Sequence, residues 1–249
     1  MTDFKPGFHF KEIDEEGLET LQVIADAKSF NNWMYAAIKE FCTGRILEVG
    51  SGIGNISELL LNDNHDLTIS DIRDNYREYL ANKFPGLAEK NKIIDFDLVH
   101  PDFSNQYPNL IQSFDTVFAL NVVEHIEDDG LAIANAYKLL KPGGHMIILV
   151  PAFQGLYNQL DQELYHFRRY SKTSLQNLFN KSHVPVLKSF YFNAAGIPAW
   201  YISGKMQKNK TIPGNQMKLF NVMVPLFKLM DKILMNKIGL SVICVGQKK

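Results

Sequence analysis

Residues 45–55 read R-I-L-E-V-G-S-G-I-G-N, an apolar strand running into a glycine turn and then into the start of a helix. Such a turn presents backbone N–H groups with little side-chain bulk, so a nucleoside-bearing cofactor can lie on the main chain at Gly50, Ser51, Gly52, Gly54 and Asn55. The dinucleotide fingerprint G-x-G-x-x-G/A requires a third small residue for close packing of helix on strand. Counted from Gly50 and Gly52, that position holds Asn55, and the extra glycine, Gly54, falls one residue early. Glu48 lies two residues before the first glycine, where it would repel a pyrophosphate and hold an ammonium or a sulfonium. The turn therefore points to a positively charged cofactor.

E-V-G-S-G-I-G matches, at every fixed position, the first motif E/D-x-G-x-G-x-G of the class I S-adenosylmethionine-dependent methyltransferases, and the chain resembles that family further along. L-T-I-S-D ends in Asp71, I-I-D-F-D-L surrounds Asp97, F-D-T-V-F-A-L-N-V-V-E-H-I starts at Phe114, and L-L-K-P-G-G-H-M-I-I-L-V-P starts at Leu139. The likeness covers residues 31–151. It implies an α/β, Rossmann-like three-layer sandwich with a seven-stranded, mostly parallel sheet of order 3-2-1-4-5-7-6. The cofactor it implies is S-adenosylmethionine, leaving as S-adenosylhomocysteine. By the same resemblance Asp71, followed by Ile72, takes the ribose hydroxyls; Asp97 and Leu98 meet the adenine, with Asp95 as a competitor; Asn121 and Val122 lie beside the methionine part.

The acid–base candidates are two histidines. His125, next to Glu124, follows the fourth strand and either faces the methyl acceptor as a base or is a helix-entry histidine bonded to backbone. His166 belongs to D-Q-E-L-Y-H-F-R-R-Y-S, residues 161–171, where Arg168, Arg169 and Tyr170 add two forked cations and a phenol. That cluster suits a carboxylate or phosphate acceptor; the alternative is a solvated face pairing the arginines with Asp161 or Glu163. Its H-F-R-R-Y-S stretch resembles a bacterial subgroup associated with glycan or lipid-linked precursors. Tyr35, in S-F-N-N-W-M-Y, either reaches the sulfonium or carboxylate as part of a lid or packs with Trp33 as cover on the sheet.

Strand-like runs at 46–49, 67–70, 92–96, 116–120 and 145–150 alternate with helical stripes at 55–61, 74–84 and 128–140, the pattern of βαβ units. A helix over 171–179, a sixth strand over 186–192 and a last strand over 240–245 complete one domain. Its parts are a helical cover at 1–44, a cofactor-binding core at 45–150 and an acceptor-side half at 151–249 with an insertion at 193–239. Within the insertion, 217–235 is an apolar stripe edged by Lys218, Lys228 and Lys232, which packs on the core or a dimer mate, closes over the acceptor, or lies on an anionic membrane surface.

A net charge of −1 gives no general attraction to nucleic acid. Two distant cysteines, Cys42 and Cys244, have no metal-ligand spacing, and no clustered Asp/Asn set asks for a catalytic metal, so none is expected. With neither a secretory leader nor a bilayer-length apolar run in the sequence, the expectation is a cytoplasmic monomer or homodimer acting on an oxygen or nitrogen of a small molecule. The rival readings are a nicotinamide oxidoreductase and a non-catalytic cofactor-binding regulator. The oxidoreductase would need a Y-x-x-x-K pair, and Tyr201 with Lys205 falls long after the fifth strand.

Overall fold

The computed structural model describes residues 15–207 and 209–249. Residues 1–14 of the expected cover, and Lys208 in the expected insertion, lie outside them. Two helices come first, α1 (Glu15–Ala25) and α2 (Lys28–Ile38). The βαβ run follows: β1 (Arg45–Val49), α3 (Asn55–Asn62), β2 (Asp66–Asp71), α4 (Asp74–Lys83), α5 (Pro85–Ala88), β3 (Ile93–Asp95), α6 (Phe103–Gln106), β4 (Phe114–Leu120), α7 (Asp129–Leu139) and β5 (Leu140–Pro151). The later half holds α8 (Gln159–Glu163), α9 (Lys172–Lys181), β6 (Val186–Phe192), α10 (Gly196–Trp200), a wide helical turn at Tyr201–Met206, α11 (Gly214–Ile233) and β7 (Ser241–Gln247).

The sheet has the expected order, β3-β2-β1-β4-β5-β7-β6, and only β7 runs antiparallel to its neighbours. Both of its faces are covered, and the two-residue period of the strands divides their side chains between two clusters. Met146, Ile148 and Val150 of β5 join Val242 and Cys244 of β7 on the face under α7 and α9, with Ala132, Ile133, Ala136, Leu175 and Phe179. Ile147 and Leu149 join Ile243 and Val245 on the other face, under α2, α3 and α11, with Ile38, Leu60 and Val224. The fifth strand starts earlier than the sequence implied. Lys141-Pro142-Gly143-Gly144 forms an irregularity inside β5, where the pairing with β4 jumps from Phe114↔Leu140 to Thr116↔His145.

The order of strands reverses between β1 and β4, the crevice where open α/β sheets take their ligands. Both the glycine turn after β1 and the Asn121–His125 stretch after β4 open into it. No helix among the described residues is long and apolar enough to cross a membrane.

Candidate functional site

A cavity of about 390 Å³ runs from the glycine turn to the segment after β5. Its first half is lined by Glu48, Gly50, Ser51, Gly52, Asn55, Asp71, Ile72, Asp97, Leu98, Asn121 and Val122. Gly50 has φ +69°, and a Cβ there would stand 2.5 Å from Val122 Cγ2, so only glycine lets the turn after β1 approach the end of β4. Gly54 does not line the cavity. Its φ is +77° and a Cβ would meet Phe84 at 2.5 Å, so it serves the packing of the turn against α4.

The acids of this half are held by backbone. Asp71 is buried, and its two oxygens accept from the N–H groups of Gly52 and Arg73, each at 3.0 Å. Asp97 accepts from Val99 N–H at 2.9 Å, while its own N–H donates to the Tyr107 hydroxyl. Asp95 sits at the end of β3, exposed and paired with Arg77 at 3.2 Å, away from the cavity. Glu48 is buried and accepts from the Ser57 hydroxyl; burial pushes its carboxyl up to about 7, against the pull of Ser57 and Ser51. Asn121 closes β4 with φ +55°, a conformation that a non-glycine residue adopts where surrounding structure enforces it, and its N–H donates to Leu149.

The other half holds a cluster of acids and histidines. Glu124 and His125 lie on the turn Val123–His125 that follows β4, and His166 arrives from the segment after α8. The two segments are tied by Phe167 N–H donating to the Glu124 carbonyl at 2.8 Å. The imidazoles of His125 and His166 meet edge to face, 4.6 Å between centroids. Glu124 is fully buried, and neither carboxylate oxygen has a hydrogen-bond partner. Burial raises its carboxyl to about 8. Burial also lowers both imidazoles, His125 well below its ordinary range with help from His166 and Arg73, while Asp161 pulls His166 the other way.

Asp161 organises this half. One oxygen accepts from the Asn158 N–H to cap α8, and the other meets His166 Nδ1 and Arg169 Nε, each at 2.8 Å. Burial works against its charge, but His166 and Arg169 hold its carboxyl below the usual range. Arg169 also donates to the Ala152 carbonyl and lies over the Trp200 ring, 4.6 Å from its centroid. The rest of the cavity wall is mainly apolar, with Leu160, Leu164, Trp200, Met217 and Phe220, and with Leu21 beside the glycine turn.

Three sequence expectations need correction. Tyr35 is turned away from the cavity; its hydroxyl donates to Asp63 at 2.6 Å, at the far end of α3, because the helical register of α2 gives the cavity to Phe30, Asn31 and Met34. Arg168 does not reach the cavity. It binds Asp129 at 2.9 Å and the Glu127 carbonyl at 2.8 Å. Tyr170 is buried and donates to the same Asp129 carboxylate. Of the proposed anion clamp only Arg169 faces the cavity, already paired with Asp161. The sequence reading missed Asp161 and Glu124 as site residues. An Asn three residues before an Asp at 158–161 was the available signal for the cap, and a glutamate following the apolar run of the fourth strand, next to His125, was the signal for Glu124.

Residues 47–146 match the family described as a methyltransferase domain. This stretch resembles a methyltransferase domain. The domain's sequence is 30% identical over 135 residues, 48% of the chain, to "Probable polyketide synthase 42" of Dictyostelium discoideum. The alignment covers 5% of that protein, so the chain spans about a twentieth of the length of the curated relatives it matches. In fold, the chain is similar to a possible histamine N-methyltransferase from Thermotoga maritima (TM-score 0.61, 14% identity, 96% of this chain and 98% of that one). It is also similar to phosphoethanolamine N-methyltransferase 2 of Haemonchus contortus in complex with S-adenosyl-L-methionine (TM-score 0.58, 14% identity, 90% and 56%). The cofactor of the class is S-adenosylmethionine, and the residues present fit it. A backbone cradle that a Cβ would fill, two backbone-held carboxylates and a buried glutamate form an acceptor set for two ribose hydroxyls, an adenine amine and an ammonium.

Proposed function

We propose that the chain transfers a methyl group from S-adenosylmethionine to an oxygen or nitrogen of a small molecule with a large apolar body, the lipid-linked acceptors being the class it suits. The observation that carries this reading is the continuity of one cavity, from the acids of the glycine turn to an acid–histidine cluster walled by apolar side chains. Bound there, S-adenosylmethionine supplies a methyl already made electrophilic by its sulfonium, so the protein's work is alignment and exclusion of water.

Asp71 and Ile72 would hold the ribose, Asp97 and Leu98 the adenine, and Glu48, Asn121 and Val122 the methionine end. Leu160, Leu164, Trp200, Met217 and Phe220 would dry the acceptor's side. His125 and His166 stand where an acceptor's proton would leave, with Asp161 fixing the His166 ring through Nδ1. An anionic acceptor loses its support with Arg168 and Tyr170 committed to Asp129. The expected cytoplasmic location and membrane-surface contact go with this reading, through the exposed face of α11.

Incubating the protein with deuteromethyl donor and two fractions of a cell extract, one lipid-rich and one polar, tests it by mass spectrometry. A labelled species in the lipid-rich fraction supports the proposal. Label confined to water-soluble anions, or no label at all, sinks it.

A further inference from the structure

We propose that Glu124, His125 and His166 bind a divalent first-row transition-metal ion. One donor atom from each lies within 4.8 Å of the others. Two imidazoles and one carboxylate on one side of an ion is a ligand set such ions take, with the remaining positions open. Here those positions face the cavity, which all three residues line.

Two independent observations support a ligand at this place. The first is the Glu124 carboxylate, 0% exposed with neither oxygen hydrogen-bonded. A buried acid of this kind is costly unless something meets it. Arg169, the cation whose charge acts on Glu124, is bonded through Nε to Asp161 and through Nη1 to the Ala152 carbonyl. The second is the orientation of His166. Its Nδ1 meets Asp161 at 2.8 Å, which turns Nε2 toward Glu124 Oε1 at 4.0 Å. A carboxylate behind a histidine that points its other nitrogen at an open position is the outer arrangement that metal-bound histidines have. Ligand atoms around a tetrahedral ion lie roughly 3.3 Å apart for bonds near 2.0–2.1 Å, so closing on the ion asks for about an ångström of side-chain rotation.

Spacing along the chain does not point to this site, because Glu124 and His125 lie on one segment and His166 on a distant one, and neither segment carries metal spacing. Its role rests on the methyl-transfer reading: the ion would hold an oxygen of the acceptor and lower its pKa so that its proton leaves to bulk water, and the histidines, as ligands, would then not be the base. Its existence does not rest on that reading.

The test uses the full chain after chelation, titrated with Zn²⁺ and with Co²⁺ in the absence of S-adenosylmethionine. One equivalent should bind, Co²⁺ should give visible d–d absorption, and Zn²⁺ should raise the melting temperature. Glu124→Gln and His166→Gln should each weaken Co²⁺ binding by at least about 100-fold, and Asp161→Asn by about 10- to 100-fold. Calorimetry with S-adenosylmethionine on the same samples separates the two readings. Cofactor binding without metal binding would overturn the ion site alone, and metal binding without cofactor binding would overturn methyl transfer alone. If a variant fails to fold, His125→Gln and the wild-type melting shift decide. Binding that is substoichiometric, or unchanged in all of the ligand variants, overturns the proposal.

Discussion

Glu48 is the residue whose sequence position and physical state agree most closely. The sequence put an acid two residues before the first glycine of the turn, and the structure buries it, with a carboxyl raised to about 7. A cationic ligand prefers the ionised form, so cofactor affinity should rise with pH below about 7, by at most tenfold per unit. Calorimetry of S-adenosylhomocysteine, which carries the ammonium, from pH 5.5 to 8.5 checks this, and Glu48→Gln should abolish the rise. Stability moves the other way. The folded pKa lies above the unfolded value, so this group's contribution is complete below about 4.5 and disappears as pH rises through about 7. Glu48→Gln should therefore raise the melting temperature of the cofactor-free protein at pH 8 and leave it nearly unchanged near pH 4.5.

At the scale of elements, the segment between β5 and α9 shows what sequence reveals and what it leaves to packing. The β-strands were legible because a two-residue apolar period buried on both faces has few alternatives, as in Met146 through Val150. Helix α9 was legible because Ser171 caps it, with Ser174 answering across the turn. Cofactor-side acids were legible for a related reason: Asp71 and Asp97 follow strands, and the strand fixes where the next residue goes. Arg168, Arg169 and Tyr170 follow no strand. Three adjacent polar residues on irregular backbone point in different directions, and one reached Asp161 while two reached Asp129 at the start of α7. The role of Arg168 and Tyr170 is thus to clamp this segment to α7. Arg168→Ala should cost about 0.5–1 kcal/mol of stability, since its pair is partly exposed, and Tyr170→Phe about 1 kcal/mol, from the lost bond to the half-buried Asp129 carboxylate. Both variants should keep the wild-type KM for the acceptor. Denaturant unfolding and initial rates check the pair, and a large rise in KM with unchanged stability would restore the anion clamp.

Among the described residues of the whole molecule, helix α11 carries an apolar face that neither the core nor the cavity uses. Helix α11 is apolar on two sides. Met217, Phe220, Val224 and Phe227 turn inward, and Asp231 on the same stripe accepts from the N–H groups of Asn193 and Ala194, fixing the end of the helix to the end of β6. At 100° per residue, Leu219, Val222, Leu226, Leu229 and Ile233 fall on the opposite side, with Val222 76% and Ile233 70% exposed. Lys218, Lys228 and Lys232 run along one flank of that outer stripe. An apolar face with a basic edge suits an anionic lipid surface, and its own inner face lines the acceptor cavity through Met217 and Phe220. The same helix would then dock the molecule and border the path of a lipid-linked acceptor. Each lysine adds about 1 kcal/mol at an anionic surface, so three should favour phosphatidylserine vesicles over neutral ones by roughly 100-fold at low salt. Co-sedimentation with the two vesicle types measures this difference. Val222→Asp with Ile233→Asp should abolish binding to both, because the apolar insertion is shared, whereas replacing the three lysines with glutamine should remove only the preference. Equal binding to the two vesicle types by the wild-type protein, or none, would assign the outer face to a second protein surface, and sedimentation velocity across a concentration series would then find the dimer.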